Sequence, residues 1–335
     1  MKTQNFYKKF VDFSHKTGIP VRGIIDLFLA LGKTGELENS EVSIHSGLSK
    51  TSIALIEKEF YSLFKPKSSK TALSENGQRI YLYLVDLVSQ NELSDITKVI
   101  THDRTELKTS IHAQYAVDRP ETDRNLDQFL ATTGTVQKRA HLMDYLGDIR
   151  DQKILFLGDD DFTSIEVATL GPAQKITVID IDQRILNTIS KISDTEKLGI
   201  ETKKYDAKQS IGKDLWNQYD IVFTDPPYTE VGFELFLSRA IDVLDQNNKS
   251  ARIYICFGHS DLSKERFIPI TQILANAGLN IRYILNKFNR YSGAESIGSN
   301  SDLYICEVTP KTTPTLKGKY KDKIYTNTLY VTGEF

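Results

Sequence analysis

The stretch ILFLGDDDFTS, residues 154–164, joins an apolar run to a glycine and three consecutive aspartates. An apolar strand that ends in a glycine is typical of the ligand-binding turn in nucleotide-binding α/β folds. Such turns usually continue with further glycines, whereas here Asp159, Asp160 and Asp161 follow Gly158. The stretch therefore predicts a ligand loop at the carboxyl end of a strand, for a ligand that suits three carboxylates.

Around this stretch, short apolar runs rich in β-branched residues alternate with helical segments. The runs are KILFLG, KITVID, YDIVFTD and RIYICF. This alternation predicts an α/β protein with a doubly wound, mostly parallel sheet. Two late runs, IRYILNKF and DLYICEV, predict an antiparallel hairpin at one sheet edge. Together they predict a methyltransferase-type Rossmann fold over residues 126–310, with residues 311–335 as a surface tail.

The N-terminal part of the chain has a helical pattern instead. Helical spacing over residues 20–32 is followed by two further helical patterns separated at Gly47, which predicts a helix-turn-helix. The next stretch, KPKSSKTALSENGQRI, has the basic turn and short strand of a wing. We therefore predict a winged-helix-like domain over residues 1–90 and a helical connection over residues 91–125.

Winged-helix domains often bind DNA, so we compared the charges of this segment. Between Lys50 and Arg79 the sequence has six basic and three acidic residues. Because phosphate neutralisation supplies most non-specific DNA affinity, this surplus favours a scaffolding or dimerising role over DNA binding.

The composition bounds the class of protein. With 335 residues, 40% of them hydrophobic and 26% charged, the chain is long enough for two globular cores. The formal net charge of −2 gives no overall basic field that would attract nucleic acid. We find no signal peptide and no run of 18 apolar residues, and we expect a cytoplasmic protein without a membrane span. Cys256 and Cys306 lie in strand-like runs without metal-ligand spacing and are predicted to be buried thiols.

The acids that follow the first strands indicate a nucleoside site. Asp180 ends the next strand 22 residues after Gly158, near the offset expected for an acid that accepts ribose hydroxyls, and Asp182 can share that role. Asp206, after the following strand-like stretch, lies where this fold commonly recognises adenine. The ordered set predicts an adenosyl ligand.

The aspartates of the loop restrict which adenosyl ligand fits. The third glycine of a dinucleotide fingerprint and the Walker lysine motif are both missing, and a pyrophosphate would be repelled by the loop. A sulfonium compound fits better, but the carboxylate of S-adenosylmethionine would also be repelled. Two like charges about 4 Å apart repel by about 4 kcal/mol at an effective dielectric of about 20. At about 1.4 kcal/mol per tenfold, this is a penalty of roughly two to three powers of ten, which favours decarboxylated S-adenosylmethionine.

A purely structural role for the aspartates is the alternative. Aspartate is favoured at helix N-caps, and we assign Asp161 as the cap of the helix that begins near Phe162. Three successive acids exceed the needs of a cap, and their mutual repulsion favours a cationic partner.

The stretch YDIVFTDPPYTE, residues 219–230, predicts the acceptor side of the site. Its strand brings Asp225-Pro226-Pro227-Tyr228 to the same sheet edge, and the two prolines prevent the strand from continuing. Asp-Pro-Pro-Tyr resembles the motif of the adenine and glutamine N-methyltransferases, in which the acid and a proline carbonyl hold a nitrogen nucleophile. Asp225 can accept the amine proton or stabilise the cation, and the ring of Tyr228 can cover that cation.

The combined motifs closely resemble a known family. The branched-chain polyamine synthases, or N(4)-bis(aminopropyl)spermidine synthases, have similar motifs to those found here within residues 120–308: Asp127-Gln128-Phe129, ATTGTVQKRA, LGDDDFTSI, VIDID, TDPPYTEVGFELFLSRAI, CFG and FNRYSGA. The assignment of Asp127 to the polyamine rests mainly on this resemblance. The resemblance implies transfer of an aminopropyl group from decarboxylated S-adenosylmethionine to the secondary amine of spermidine, with release of methylthioadenosine. It also implies a second transfer to the same nitrogen, and a homodimer.

These interpretations give the predicted site. The catalytic candidates are Asp225, Asp159 and Tyr228; the donor-binding candidates are Gly158, Asp159, Asp180, Asp182 and Asp206; the acceptor-binding candidates are Asp127, Asp160, Asp225, Pro226, Tyr228 and Glu230. Asp159 and Asp160 are assigned to the amine termini of donor and polyamine respectively. Asn289 and Tyr291 are candidates for the acceptor groove and His259 for a pocket wall. We expect no prosthetic group and no metal site.

Two other functions fit parts of the sequence. An S-adenosylmethionine-dependent N-methyltransferase acting on adenine in nucleic acid fits Asp-Pro-Pro-Tyr and the winged-helix-like domain, but the acidic loop disfavours both its donor and a nucleic-acid partner. A regulator that senses a nucleoside or polyamine without turnover is the third interpretation.

Overall fold

The computed structural model describes residues 4–66, 69–89, 110–258, 264–292 and 299–326. His259 and most of the predicted helical connection lie outside these residues. Among the described residues, no helix is long and apolar enough to cross a membrane.

The N-terminal domain is helical with a small two-stranded sheet. Its elements are α1 (Gln4–Thr17), α2 (Val21–Thr34), β1 (Glu36–Glu38), α3 (Asn39–Ser46), α4 (Lys50–Glu59), β2 (Lys70–Ala72) and α5 (Glu75–Ser89). The predicted break at Gly47 is confirmed: this residue ends α3 with φ +67°, and the side chain of Ser49 then caps α4. β1 and β2 pair antiparallel, next to a bridge between Phe64 and Leu73. The winged-helix assignment stays a prediction.

The second domain is built on one large sheet. Its elements are α6 (Ile111–Tyr115), α7 (Thr133–Tyr145), β3 (Lys153–Leu157), α8 (Thr163–Leu170), β4 (Lys175–Asp180), α9 (Gln183–Glu196), β5 (Ile200–Lys204), β6 (Ile221–Thr224), α10 (Glu230–Val243), β7 (Arg252–Phe257), α11 (Phe267–Asn276), β8 (Asn280–Arg290) and β9 (Asn300–Glu307). The strand order is β5-β4-β3-β6-β7-β9-β8. The pairs from β5 to β7 are parallel, whereas β9 pairs antiparallel with both β7 and β8. The predicted α/β fold and the edge hairpin are confirmed.

Burial on both faces explains why the central strands were readable in the sequence. In β3, Phe156 packs in the core on one side of the sheet, and Leu155 and Leu157 pack in the core on the other side. A parallel strand covered by helices on both faces is apolar throughout instead of alternating with polar residues. β3 lies between β4 and β6, so the order of the strands reverses beside it and leaves a crevice at their carboxyl ends.

The predicted surface tail needs a correction. The segment from residue 311 is largely exposed as far as Lys323, but Ile324 is 1% exposed and packs into the core beside the sheet. The backbone oxygen of Ile324 accepts a hydrogen bond from the Thr229 hydroxyl at 2.8 Å. The described part of the tail therefore belongs to the second domain, because it covers apolar surface there.

Candidate active site

A cleft lies at the carboxyl ends of β3, β4 and β6, where the fold predicts a ligand site. It encloses about 710 Å³ of space between protein atoms, including the part open to solvent. Four carboxylates line it, and none of its described lining residues is a lysine or arginine. The four are Asp127, Asp160, Asp180 and Asp225. This composition suits a cationic ligand, because each acid favours a positive charge.

Gly158 makes the sharp turn that brings the acidic loop to the cleft. Its φ of +76° lies in the left-handed region, and its N–H donates to the Ile179 oxygen at 2.8 Å. Only glycine adopts this conformation without strain. The three aspartates that follow point to three different places.

The first aspartate of the loop caps the following helix. Asp159 accepts the N–H groups of Thr163 at 2.8 Å and Ser164 at 3.1 Å, so Asp159 caps α8 and the assignment of the cap to Asp161 was wrong. Burial raises the pKa of Asp159 to about 8, although hydrogen bonds from Ser164 and Thr163 oppose the rise. The carboxylate is 3% exposed and does not line the cleft. The geometry therefore gives no support to the predicted catalytic and donor-binding roles of Asp159.

The third aspartate is held beneath the cleft. Asp161 forms an ion pair with Arg139 at 2.7 Å and accepts the N–H of Ala131 at 2.5 Å. Its backbone oxygen lies 2.8 Å from Nε2 of His112. Burial lowers the pKa of His112 to about 4, so the imidazole is neutral and can donate its proton to that oxygen. Asp161 therefore holds the loop against α7 and the segment before it.

Only the middle aspartate reaches the cleft. Asp160 is half-buried in the wall, and no described residue donates a hydrogen bond to its carboxylate. Burial raises its pKa well above the usual value, and the nearby charges of Asp161 and Asp225 raise it further. A bound cation would remove this destabilisation, since it supplies the charge that the protein does not.

Asp225 lies in a dense hydrogen-bonded network. Its Oδ2 accepts from Arg139 at 2.8 Å and from the Tyr291 hydroxyl at 2.6 Å, and its Oδ1 lies 3.1 Å from the Tyr228 hydroxyl. Burial raises the pKa of Asp225, while the charge of Arg139 opposes the rise. Pro226 and Tyr228, two of the predicted acceptor-binding residues, also line the cleft.

Of the three acids predicted to bind the nucleoside, only Asp180 lines the cleft. Asp180 accepts the N–H groups of Asp159 at 3.1 Å and Asp182 at 2.7 Å. Burial raises its pKa to about 6. Asp182 instead caps α9, pairs with Arg184 at 2.6 Å and accepts a hydrogen bond at 3.3 Å from Gln128, which lines the cleft, but Asp182 does not line it itself. Asp206 lies between two lining residues but does not line the cleft itself.

The C-terminal segment also contributes to the cleft. Asp127 lines the cleft and accepts the N–H of Thr326 at 2.8 Å as well as its hydroxyl. The neighbouring Tyr325 forms part of the cleft wall. Glu230 is exposed at the start of α10 and outside the lining, so the geometry does not support its predicted polyamine contact.

Of the two residues predicted from FNRYSGA, only one lines the cleft. Tyr291 does so, whereas Asn289 is fully buried behind it and bonds to Arg139 and Ser301, so its assignment to the groove was wrong. Cys256 and Cys306 are buried free thiols, as predicted.

The sequence interpretation missed Arg139 and the contribution of the tail. Arg139 lies in α7, where most residues from Thr135 to Met143 are buried. An arginine in a buried helix requires carboxylate partners, and this signal was available in ATTGTVQKRA. The contact between Asp127 and Thr326 joins residues 199 positions apart and has no local signal.

The fold is that of a methyltransferase-type Rossmann protein, with an acid-lined cleft at the carboxyl ends of its strands. Comparison with known proteins gives the family. The protein-family model described as the branched-chain polyamine synthase A C-terminal domain matches residues 108–331 of this chain. The chain belongs to the branched-chain polyamine synthase family.

Two curated relatives show how far the similarity extends. An uncharacterised protein of Methanocaldococcus jannaschii is 37% identical over 63% of this chain and 52% of its own length. The N(4)-bis(aminopropyl)spermidine synthase of Thermococcus kodakarensis is 33% identical over 52% of this chain and 50% of its own length. The chain thus spans about half the length of the curated relatives it matches.

A solved structure supports the fold over nearly the whole chain. The branched-chain polyamine synthase of Thermus thermophilus, in complex with N4-aminopropylspermidine and 5'-methylthioadenosine, matches with a TM-score of 0.58. The match covers 96% of this chain and 97% of that chain at 17% identity. At this identity, the likeness is evidence for the fold alone.

Proposed function

We propose that this chain is an aminopropyltransferase that uses decarboxylated S-adenosylmethionine and the secondary amine of spermidine. The observation that carries the proposal is the cleft lined by four carboxylates without a lysine or arginine among its described lining residues. Asp160 has no hydrogen-bond donor among the described residues, which leaves a site for a substrate ammonium. The N-methyltransferase alternative is not favoured, because its donor would bring a carboxylate to this wall.

The reaction needs alignment more than covalent participation of the protein. The lone pair of the amine nitrogen forms a bond to the methylene carbon next to sulfonium. The carbon–sulfur bond breaks, and its electron pair stays on sulfur, so neutral methylthioadenosine leaves and the positive charge passes to nitrogen. Holding the nitrogen, carbon and sulfur in line supplies much of the rate enhancement.

The described residues divide the work between donor and acceptor. Asp180, at the end of β4, would bind the ribose hydroxyls, and Asp206 remains the candidate for adenine. Asp160 would hold an ammonium group, and Asp127 would contact the polyamine. Asp225 would attract the attacking amine and stabilise the charge that forms on it, under the ring of Tyr228.

The test is incubation of the purified protein with intact or decarboxylated S-adenosylmethionine and a panel of polyamines, followed by mass spectrometry. We expect products heavier by one or two aminopropyl groups with the decarboxylated donor only. Asp160→Asn should lose this activity, whereas Asp194→Asn, at an exposed position of α9, should keep it. Methylated products, or no product, would refute the proposal.

The homodimer, the winged-helix assignment and the cytoplasmic location are also proposals. Light scattering coupled to size-exclusion chromatography tests the first of them directly.

A further inference from the structure

Arg139 is a buried cation directly behind the acid-lined cleft. The residue is 1% exposed, and it does not line the cleft. A buried guanidinium is tolerated only where its charge and its N–H groups are satisfied. The partners of Arg139 therefore show which groups depend on it.

The two ends of the guanidinium hold two different loops. Nη1 pairs with Asp161 at 2.7 Å in the loop after β3, and Nη2 pairs with Asp225 at 2.8 Å in the loop after β6. Nε donates to Oδ1 of Asn289 at 2.8 Å, and Nη2 also contacts the Tyr291 hydroxyl at 3.1 Å. One planar group thus fixes the spacing of the two loops that form the cleft. Lysine has no such fork of donors.

Arg139 also affects the charge of Asp225. The titratable groups that face Asp225 are Asp160 and Asp161 after β3, Arg139 in α7, Tyr228 after β6, Cys256 in β7 and Tyr291 after β8. Burial and the charge of Asp161 favour the neutral acid, whereas Arg139 and the Tyr291 hydroxyl favour the carboxylate. Removal of the guanidinium would therefore favour protonation of Asp225.

We propose that Arg139 is a positioning residue that clamps the loops after β3 and β6 together and holds its positive charge 2.8 Å from the carboxylate of Asp225. Asp160, which it does not contact, stays available for an incoming cation. The inference rests on the proposed function, because it assigns Arg139 to the same cleft. Arg139 acts through Asp225 and touches no ligand space itself.

The variants Arg139→Met and Arg139→Lys test the clamp, with Arg252→Met as a matched control. Arg252 is also buried and pairs with Asp148 at 2.9 Å and Glu307 at 3.2 Å, but it lies at the start of β7, at the opposite end of the sheet from the cleft. Arg252→Met should lower the melting temperature without moving the pH profile of kcat.

For Arg139→Met we expect kcat to fall by about 100-fold, because the two loops lose their fixed spacing. The acidic limb of its pH profile should move to higher pH, since Asp225 then holds its proton more tightly. Arg139→Lys keeps the positive charge, so its acidic limb should lie at the wild-type pH, whereas its kcat should stay below that of wild type. An acidic limb that stays in place in Arg139→Met would overturn the proposal.

A substrate-free measurement separates this inference from the proposed function. The measurement is the melting temperature at a pH above neutral. In the Arg139→Met background, Asp225→Asn should raise this temperature, because it removes an uncompensated buried charge. In the wild-type background, Asp225→Asn should lower it. Equal effects in both backgrounds would refute the clamp. Arg139→Gln, which also lacks the positive charge, replaces Arg139→Met in this comparison should the latter not fold. Absence of turnover by the wild-type protein would refute only the proposed function.

Discussion

Replacement of Tyr291 by phenylalanine removes one hydroxyl from the Asp225 network and leaves the ring in place. That hydroxyl donates to Oδ2 of Asp225 at 2.6 Å. Burial keeps the pKa of Tyr291 well above its usual value, so the hydroxyl stays protonated across the working pH range. The change therefore removes the hydrogen bond to the Asp225 carboxylate, together with the contacts of the same hydroxyl with Arg139 at 3.1 Å, Tyr228 at 3.0 Å and Ser301 at 2.8 Å.

The expected effect follows from the strength of such a bond. Hydrogen bonds to charged groups contribute about 1.5–3 kcal/mol. At about 1.36 kcal/mol per tenfold, Tyr291→Phe should lower kcat/KM by roughly 10- to 150-fold. Because the hydroxyl lowers the pKa of Asp225, its loss raises that pKa, and the acidic limb of the profile should move to higher pH.

The assay is the pH dependence of kcat/KM for aminopropyl transfer, measured beside Tyr219→Phe. The Tyr219 hydroxyl is also buried but donates to the neutral Thr177 at 2.9 Å, so its loss should affect stability and leave the pH profile unchanged. Identical profiles for wild type and Tyr291→Phe would show that ionisation of Asp225 does not control the reaction.

Three further substitutions test the separate roles of the acids. Asp225→Asn should impair the first transfer because it removes both the negative charge and the proton acceptor. It should impair the second transfer only through the lost charge, because the attacking tertiary amine has no proton to lose. Wild-type yields of both products by mass spectrometry would contradict this. Asp160→Asn should reduce the preference for the decarboxylated donor over the intact one by about 100-fold in calorimetry, and an unchanged ratio would exclude Asp160 as the selective charge. Asp159→Asn keeps a capping side chain but removes the buried acid. Because burial raises the pKa of Asp159 to about 8, the wild-type protein loses stability as the pH rises from about 4 toward 8. The variant should therefore have a higher melting temperature than wild type near pH 8, and no such gain near pH 4. A gain that is independent of pH would refute this account.

Long-range burial determined what the sequence revealed of the fold. The strands β3 and β6 are buried on both faces and are therefore readable as continuous apolar runs. The edge strand β5, with the sequence IETKK, gives a weaker signal because most of it is solvent-accessible. The three-residue strand β1 was not predicted, since so short a segment has no period to detect.

The sequence predicted which loops meet at the cleft, but not which of their acids face it. GDDD and DPPY reach the same sheet edge, as expected for loops that follow neighbouring parallel strands. Which aspartate faces the cleft depends on the left-handed turn at Gly158 and on the packing of α7 beneath the loop. Neither is encoded in the order of the three residues. The roles of Arg139 and Thr326 depend on contacts between distant segments, which a local pattern does not show.

The three aspartates of the acidic loop make different contacts, and this difference has an evolutionary consequence. Asp159 caps a helix and Asp161 pairs with a guanidinium, so changes at either position affect the stability of the scaffold before they alter the chemistry. Asp160 contacts neither the helix nor the guanidinium, so a substitution at this position leaves the contacts that hold the loop in place. Under the proposed function, selectivity for the tail of the donor can therefore change among descendants of this sequence while the architecture around it persists.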